Sequence, residues 1–221
     1  MKVLLINGSP HEKGCTYTAL SLIAGELNAA GIETEILNVG TKPVGGCIGC
    51  GGCAVGKGCV FGGVVNEAIE KAKTADAFVF GTPVHYASAS GNMTSFMDRL
   101  AYAGGRYEAD VRSHRQGAAG RYLAYKPAAI CCSARRAGTT STLDQLVKYP
   151  EFFHMPLVSG SYWPMVHGSN PEQVLQDAEG CAVMQELGRN MAWLLRCIEA
   201  GKAAGIQHPE NPRRPMTNFI R

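Results

Sequence analysis

Short, unbroken apolar runs alternate along this chain with longer stretches that have helical periodicity. Four of these runs have the length and continuity of strands that are covered on both faces. They are KVLLIN (2–7), DAFVFGT (76–82), AAICCS (128–133) and PLVSG (156–160). A fifth run, ETEILNV (33–39), begins with polar residues and predicts an edge strand. Because parallel strands need helical crossovers, the alternation predicts an α/β domain with a parallel sheet.

The helical stretches carry their own boundary signals. Apolar residues recur at i, i+3, i+4 and i+7 in segments 20–27 and 93–100, which predicts two amphipathic helices. A last helix is predicted to begin at Pro171, with Asn170 as N-cap and Gln173 placed for a capping box, and to reach Ile198. The prolines beyond residue 205 cannot continue it. Right-handed crossovers then arrange the elements as a doubly wound, three-layer domain.

Composition narrows the classes of function. The chain has 221 residues, is 46% hydrophobic and carries a formal net charge of +3. This charge is too small for a nucleic-acid partner, which would need Lys and Arg concentrated along one face. No apolar run approaches the ~18 residues of a membrane helix or the ~7–15 residues of a signal-peptide core. We therefore expect a cytoplasmic protein, without a membrane partner, whose nine cysteines are reduced rather than paired in disulfides.

Ligands of doubly wound sheets bind beyond the carboxyl ends of the strands, where the strand order reverses. The loop after the first strand, 7–20, has neither a dinucleotide-binding fingerprint nor a P-loop. It does offer hydroxyl groups at Ser9, Thr16 and Thr18 beside a helix N-terminus. Free N–H groups and the helix dipole there favour a monophosphate. The alternative is that Ser9 and Thr16 only cap the helix.

Two further loops complete this edge of the predicted sheet. The segment 82–100 follows the third strand and begins with a stiff proline, Pro83, and the apolar or flat side chains of Val84, His85 and Tyr86. Next to a phosphate site, these side chains predict a slot for a planar ring. The loop after the fourth strand, 131–142, offers backbone and hydroxyl donors at Ser133, Gly138, Thr139 and Thr140.

These segments together resemble a known family. The opening KVLLINGSP, the cysteine-rich loop after the second strand, TPVHYASASGNMTSFMDRL (82–100) and the loop 131–142 are similar, in this order, to the flavodoxin-like NAD(P)H-dependent FMN reductases and the related iron–sulfur flavoproteins. The resemblance implies a flavodoxin-like three-layer α/β/α sandwich with a five-stranded parallel sheet of order 2-1-3-4-5. We expect this domain to span 1–204, with an insertion at 103–126 and a proline-rich tail at 205–221.

The resemblance also implies a bound FMN and assigns residues to it. Tyr86 is preferred to His85 as the group that stacks on the ring. His11 and Cys15 replace the arginine and the asparagine or serine that many members carry, so the phosphate loop has less fixed positive charge. The residues expected to contact FMN are Ser9, His11, Cys15, Thr16 and Tyr17 at the phosphate, Thr82, Pro83, Val84, His85 and Tyr86 at the ring, and Ser133, Gly138 and Thr139 at its remaining edge.

In such a protein FMN carries the chemistry, and no side chain is expected to act as a catalytic acid or base. The flavin would take a hydride from NADPH or NADH and pass electrons to a small acceptor, namely a quinone, a nitro or azo aromatic, a ferric chelate or free flavin. One alternative is an iron–sulfur flavoprotein that exchanges single electrons with a ferredoxin. Another is a non-catalytic flavin- or zinc-binding module. By analogy with the family, we expect a homodimer or homotetramer.

Charged residues near these loops have two interpretations. Asp98 and Arg99 are interpreted as a structural ion pair or a clamp between helix and sheet. A basic group could hold the 2′-phosphate of NADP, or could be a solvated basic surface. Its members are Arg106, Arg112, Arg115, Arg121, Arg135 and Arg136.

The cysteine loop, 45–60, contains Cys47, Cys50, Cys53 and Cys59 in the pattern C-x₂-C-x₂-C-x₅-C. This compact spacing is closer to an iron–sulfur site than to a zinc ribbon, and the interleaved glycines would let the backbone wrap around a cluster. Three interpretations stay open: a thiol-rich loop without a metal, which is favoured, a [4Fe–4S] cluster, and zinc or a redox disulfide. Four other cysteines are predicted to be small buried hydrophobic residues, namely Cys131, Cys132, Cys181 and Cys197.

Overall fold

The computed structural model describes residues 1–55, 58–104 and 122–209. Its strands are β1 (Lys2–Asn7), β2 (Glu33–Asn38), β3 (Ala77–His85), β4 (Ser88–Ala89), β5 (Ala128–Ala134) and β6 (Met165–His167). Its helices are α1 (Cys15–Ala29), α2 (Val64–Thr74), α3 (Gly91–Gly104), α4 (Thr139–Phe152), α5 (Pro171–Val174) and α6 (Ala178–Ala203), with a 3₁₀ turn at Gly52–Val55.

The strands form one sheet in the order β2-β1-β3-β5-β6. These five strands are parallel, and the two-residue β4 pairs with β3 in antiparallel orientation. Without β4, the order is the predicted 2-1-3-4-5, so the flavodoxin-like fold class is confirmed. β5 is buried along its whole length, as its unbroken apolar sequence indicates.

The predicted fifth strand at 156–160 is wrong. The backbone carbonyl of Pro156 accepts a bond from the N–H of Ala128 at 2.9 Å, and Leu157 makes an isolated bridge to Ala128. The chain then leaves the sheet and returns at Pro164, whose carbonyl accepts from the N–H of Cys132 at 3.0 Å. The regular pairing therefore lies at β6, after an intervening segment in which Tyr162 and Trp163 are exposed.

The predicted last helix begins where expected but is divided in two. Asn170 caps α5, since its side chain accepts from the N–H of Gln173 at 2.9 Å. The side chain of Gln173 accepts from the N–H of Ser169 at 2.7 Å, rather than from Asn170. Asp177 starts α6 with a second N-cap bond of 3.0 Å, from the N–H of Gly180. A single continuous helix from Pro171 is therefore wrong, because Asp177 provides a competing start signal.

Alternating residues of the strands build two cores, one on each face of the sheet. α1 and α6 cover the face that includes Val3, Leu5, Val79 and Cys131. α2, α3 and α4 cover the opposite face, with Leu4, Ile6, Phe78 and Phe80. Both central cysteines of β5, Cys131 and Cys132, are buried as predicted, and burial raises the pKa of Cys132 to about 12. Cys181 is half-buried and Cys197 is exposed, so the buried prediction is wrong for Cys197.

Three predicted features extend beyond the part of the chain that the structure describes. Residues 56–57 of the cysteine loop, residues 105–121 of the insertion, with its four arginines, and residues 210–221 of the tail lie outside it. Within the described residues, no helix combines the length and apolar character needed to cross a membrane.

Candidate functional site

The loop after β1 leads to an uncapped helix N-terminus. The N-cap of α1 is Gly14, which has no side chain to cap the helix, and the first turn holds no acidic residue. The buried hydroxyl of Ser9 accepts a bond from the N–H of His11 at 3.1 Å, so it shapes the loop instead of capping α1. The alternative that Ser9 is only a helix cap is therefore wrong. The first N–H groups of α1 and its positive dipole end form a position that favours an anion.

The side chain of Thr16 also does not cap the helix. Its hydroxyl lies 2.8 Å from that of Ser133, at the end of β5, and both residues are buried. This bond joins the first and third predicted cofactor loops, which sequence analysis assigned independently.

The thiol of Cys15 makes a hydrogen bond within the protein. Its sulfur donates to the carbonyl of Gly168 at 3.6 Å, and burial raises the pKa of this thiol. Cys15 can therefore offer an anion only its backbone N–H. The flanking predicted residues are more open, since His11 is exposed and Tyr17 is half-buried.

The predicted ring-binding segment is a hairpin rather than a loop. Strand β3 continues through Thr82, Pro83 and Val84 to His85, and pairs back with β4 in the register His85↔Ser88. The two residues of the turn, Tyr86 and Ala87, have positive φ angles of 53° and 58°. A two-residue hairpin of this kind normally carries Gly or Asn, and since neither stands at 86–87, no local signal predicts the turn.

The hairpin turn presents Tyr86 to solvent. The side chain of Tyr86 is fully exposed, and that of His85 is exposed as well. A backbone conformation that disfavours side chains, at the tip of a loop beside a ligand site, is a frequent feature of functional positions.

The third loop holds this turn in place. Ser141 donates to the carbonyl of Ala87 at 2.7 Å. Gly138 has a φ of 91°, and a Cβ atom there would lie 2.6 Å from the Cα of Ala87. Gln145 accepts from the hydroxyl of Ser88 at 2.7 Å and from the N–H of Ala89 at 2.9 Å. The turn is therefore fixed against the start of α4, next to the predicted contact residue Thr139, which is buried.

The first and second loops are joined by Ser90, which sequence analysis missed. Its hydroxyl donates to the carbonyl of Gly8 at 2.8 Å, and its N–H donates to the hydroxyl of Thr82 at 3.1 Å. The hydroxyl of Thr82 donates in turn to the carbonyl of Pro83 at 3.0 Å. Thr82 is fully buried, so its side chain organises the hairpin from within.

Asn92, also missed, connects the hairpin to the loop after β2. Its side chain donates to the carbonyls of Gly40 at 2.9 Å and Lys42 at 3.1 Å, and accepts from the N–H of Val44 at 3.1 Å. An asparagine in the first turn of a helix is common, and only the folded structure brings the segment 40–44 against it.

The four cysteines of the cysteine loop line one small cavity. The cavity is about 20 Å³ in volume and is lined by Cys47, Cys50, Cys53 and Cys59, together with Arg99 and Tyr102. Among the residues that the structure describes, no three His, Cys, Asp or Glu side chains are close enough to hold one metal ion. The four thiols thus share a cavity but are not drawn together around a centre.

The donor set nevertheless fits a metal–thiolate centre in its chemistry. Four cysteines that form no disulfide line the cavity, and Gly49, Gly51 and Gly58 have φ angles of 65°, 71° and 77°, which let the backbone turn around it. Asn66 fixes Cys59, donating to its carbonyl at 2.9 Å and accepting from its N–H at 2.7 Å.

The interpretation of Asp98 and Arg99 as an ion pair or a helix–sheet clamp is wrong. Asp98 accepts a short hydrogen bond from the hydroxyl of Tyr149, and burial, the main cause, together with this bond raises the pKa of Tyr149. Arg99 is buried and turns toward the cysteine loop, where it donates to the sulfur of Cys59 at 3.3 Å. Neighbouring positions on a helix point about 100° apart, which separates the two side chains.

A larger cavity of about 490 Å³ lies between α4 and the segment that leaves the sheet after Leu157. Its lining is mostly apolar and contains none of the residues predicted to contact FMN. This cavity is therefore separate from the residues predicted to contact FMN.

Comparisons with solved structures agree with this fold. A flavone reductase superposes with a TM-score of 0.67 at 18% identity, covering 90% of this chain and 64% of that one. An archaeal flavodoxin gives a TM-score of 0.56 at 12% identity, covering 89% and 99%. The apo form of an NADH:FMN oxidoreductase gives 0.57 at 18%, covering 89% of each chain. At these identities, the likeness shows the fold alone.

Comparisons of sequence identify the family as well as the fold. An iron–sulfur flavoprotein of Methanocaldococcus jannaschii is 28% identical over 205 residues, which is 90% of this chain and the whole of that protein. An iron–sulfur flavoprotein of Archaeoglobus fulgidus is 35% identical over 103 residues, 47% of this chain and 50% of that protein. Residues 1–170 match the model of the NADPH-dependent FMN reductase family. With well over half of its length matched, the chain belongs to the NADPH-dependent FMN reductase family.

Proposed function

We propose that this protein is an FMN-dependent oxidoreductase that takes electrons from NADPH or NADH and passes them to a small acceptor. The acceptor classes are a quinone, a nitro or azo aromatic, a ferric chelate and free flavin. Family membership supports FMN and oxidoreductase chemistry, and the family's name supports a pyridine-nucleotide donor. The observation that carries the proposal is the joining of three loops, through the Thr16–Ser133 and Ser90–Gly8 hydrogen bonds, around the uncapped end of α1.

Bound FMN would supply hydride acceptance and electron transfer. The chain's own residues bind and orient it. The N–H groups at the start of α1 would bind the phosphate, and Tyr86 on the hairpin turn would contact the ring. The segment from Ser133 to Thr139 would border the remaining edge. The contact residues predicted from the sequence are proposed in these roles.

The donor is tested by the absorption spectrum of anaerobically purified protein, before and after addition of NADPH or NADH. The proposal expects flavin peaks that bleach with one or both nucleotides and return when a quinone is added. Flavin peaks that neither nucleotide bleaches would contradict a pyridine-nucleotide donor and favour an electron carrier. A protein that stays colourless after incubation with FMN would contradict flavin binding.

Arg135 and Arg136 are proposed to favour NADPH over NADH. Both are exposed and follow β5, next to the proposed flavin edge. The double variant Arg135→Ala/Arg136→Ala should lower kcat/KM for NADPH relative to NADH. An unchanged ratio would remove these two residues from the proposal. Arg189→Ala, which changes an exposed arginine paired with Glu26 on the opposite face, is the matched control.

A second function is favoured by the cysteine cavity. If the four thiols hold a [4Fe–4S] cluster, the protein is an iron–sulfur flavoprotein that passes single electrons to a partner such as a ferredoxin. The ligands would be Cys47, Cys50, Cys53 and Cys59, which line the same cavity. Relatives in two archaea are named iron–sulfur flavoproteins.

Anaerobic reconstitution with iron and sulfide tests this second function. A broad brown absorbance with about four irons per chain is expected from this cluster type. It should be lost in Cys50→Ser and kept in Cys197→Ser, a matched change of an exposed cysteine on α6. If the reconstituted protein binds no iron and sulfide, the iron–sulfur function is contradicted and the loop is thiol-rich without a cluster.

Location and assembly remain predictions. A cytoplasmic location is proposed as expected from the sequence, and a homodimer or homotetramer is proposed by analogy with the family. Sedimentation of the full chain, and of a chain truncated after Ala204, tests whether the tail contributes to assembly.

A further inference from the structure

Arg99 is a buried cation on the wall of the cysteine cavity. Its side chain projects from α3 and the residue is only 6% exposed. Within the described ranges, its guanidinium contacts two backbone carbonyls and a sulfur, and no carboxylate lies within ion-pair distance. A buried guanidinium is costly unless a negative charge accompanies it.

The three bonds of Arg99 span the cysteine loop from its entry to its exit. Nη1 donates to the carbonyl of Gly45 at 3.4 Å, and Nη2 donates to that of Gly62 at 3.0 Å. Between these anchors, Nε donates to the sulfur of Cys59 at 3.3 Å. The guanidinium also lies 5.6 Å from the ring centre of Phe61. One side chain therefore closes the loop and aims an N–H group at a cysteine.

Neutral thiols cannot compensate the charge of Arg99, whereas metal-bound thiolates can. Four thiolates around an iron–sulfur core leave a net negative charge, and hydrogen bonds to the sulfurs raise the reduction potential of such a cluster. The arginine also lies on the cavity that Cys47, Cys50, Cys53 and Cys59 share. Arg99 thus supplies the positive charge and the N–H donor that would stabilise a metal–thiolate centre in this cavity.

We propose that Arg99 is a positioning residue that closes the loop around an iron–sulfur cluster and raises its reduction potential, by its positive charge and its N–H bond to Cys59. The proposal rests on the second function above. It goes further by naming a residue that adjusts the reduction potential of the cluster.

Three substitutions in the full-length, reconstituted protein separate charge from hydrogen bonding. Arg99→Lys keeps the charge, Arg99→Gln keeps N–H donors, and Arg99→Met removes both. The measured quantities are iron and sulfide per chain, and the potential of one-electron cluster reduction in an electrode-poised titration followed by electron paramagnetic resonance. We expect the potential to become more negative, least in the lysine variant and most in the methionine variant, with cluster content falling in the same order.

Two controls test whether the potential changes for reasons other than the contact between Arg99 and the cysteine loop. Arg196→Met removes a guanidinium that donates to the carbonyl of Ala30 at 2.8 Å, on the opposite face of the sheet, and should leave the potential unchanged. The double change Glu108→Gln/Asp110→Asn neutralises the acidic residues of the insertion, and should also leave it unchanged. A clear shift in this double variant would make those carboxylates the partners of Arg99 and overturn the proposal.

The outcomes distinguish the proposal from the functions on which it rests. Equal potentials in wild type and in the Arg99 variants that retain a cluster would overturn the role of Arg99 and leave the iron–sulfur function standing. A wild-type protein that takes up no cluster would overturn both the role of Arg99 and the iron–sulfur function. Flavin bleaching by NADPH in the same sample tests the oxidoreductase function independently. If Arg99→Met does not fold, as judged by circular dichroism, the lysine and glutamine variants provide the comparison.

Discussion

Thr16 and Ser133 are 117 residues apart in the sequence, yet their hydroxyl oxygens lie 2.8 Å from each other in the folded protein. The bond connects the first turn of α1 to the carboxyl end of β5, and both residues are buried. Because α1 presents the proposed phosphate site and β5 leads to the proposed flavin edge, this bond fixes the distance between two parts of one site. Its removal should therefore affect cofactor affinity more than the fold.

The first prediction concerns this bond. Thr16→Val should raise the Kd for FMN by up to about tenfold, because a buried hydrogen bond contributes roughly 0.5–1.5 kcal/mol, which limits its effect on binding, and tenfold corresponds to about 1.4 kcal/mol. Ser133→Ala should have a similar effect, and the double variant should cost less than the sum, since both changes remove the same bond. Flavin fluorescence titration measures the Kd. Thr34→Val, on β2, is the control, and an equal loss there would contradict the prediction.

Gly138 should be intolerant of a side chain. In Gly138→Ala the Cβ would lie 2.6 Å from the Cα of Ala87, at a φ of 91° that alanine disfavours. We expect destabilisation of about 1–3 kcal/mol, seen as a lower Tm, together with weaker FMN binding as the hairpin turn is displaced.

Gly25→Ala provides the matched control for Gly138→Ala. Gly25 lies within α1 and nothing surrounds its Cβ position within 4 Å. The same substitution there should raise stability by up to about 1 kcal/mol, because alanine favours the helix. A tolerated Gly138→Ala with unchanged FMN affinity would refute the close approach of the two loops.

Tyr86 should matter to the flavin and not to the fold. Its side chain is fully exposed and its φ is 53°. In Tyr86→Gly, release of strain on the order of 1 kcal/mol offsets the greater chain entropy of glycine, so the Tm should hold or rise. Flavin affinity and the rate of bleaching by NADPH should fall. If His85→Ala lowers both quantities and Tyr86→Gly lowers neither, His85 is the stacking residue instead.

The salt-bridge network around Glu35 should give a defined dependence of stability on pH. Glu35 pairs with Lys2 at 2.8 Å and Lys71 at 2.7 Å, and its bond to Lys2, followed by that to Lys71, lowers its pKa below the usual 4.5. A lowered pKa stabilises the fold above about pH 4.5, and this contribution disappears as the pH falls through the lowered value. The raised pKa values of Lys2 and Lys71 place the corresponding alkaline loss above pH 10.5.

Glu35→Gln measures this contribution. The variant should unfold at lower denaturant concentration than wild type at pH 7, and the difference should shrink as the pH falls below 4.5. Glu33→Gln removes only a longer contact of 3.4 Å from a more exposed carboxylate, so its effect at pH 7 should be smaller. A difference for Glu35→Gln that persists undiminished at low pH would contradict the charge-based explanation.

Local signals in the sequence were enough for most of the sheet. The unbroken runs that became β1 and β5 are apolar because both faces of these strands are covered, and that requirement is visible in the residues themselves. The segment 156–160 also contains apolar residues, yet within it only Leu157 forms a bridge, and regular pairing resumes at Met165. Composition indicates which side chains are buried, but it does not determine which backbone groups form hydrogen bonds with each other.

The candidate site shows the same division. Apolar periodicity and residue spacing, which are properties of short segments, were enough to predict the fold class, the three loops at one edge of the sheet and the clustering of four cysteines. The folded chain was needed to show that Thr16 meets Ser133, that a hairpin turn without glycine presents Tyr86, and that Arg99 turns away from Asp98 toward Cys59. These relationships join segments that are distant in sequence, and their geometry follows from packing of the whole domain, which no local pattern records.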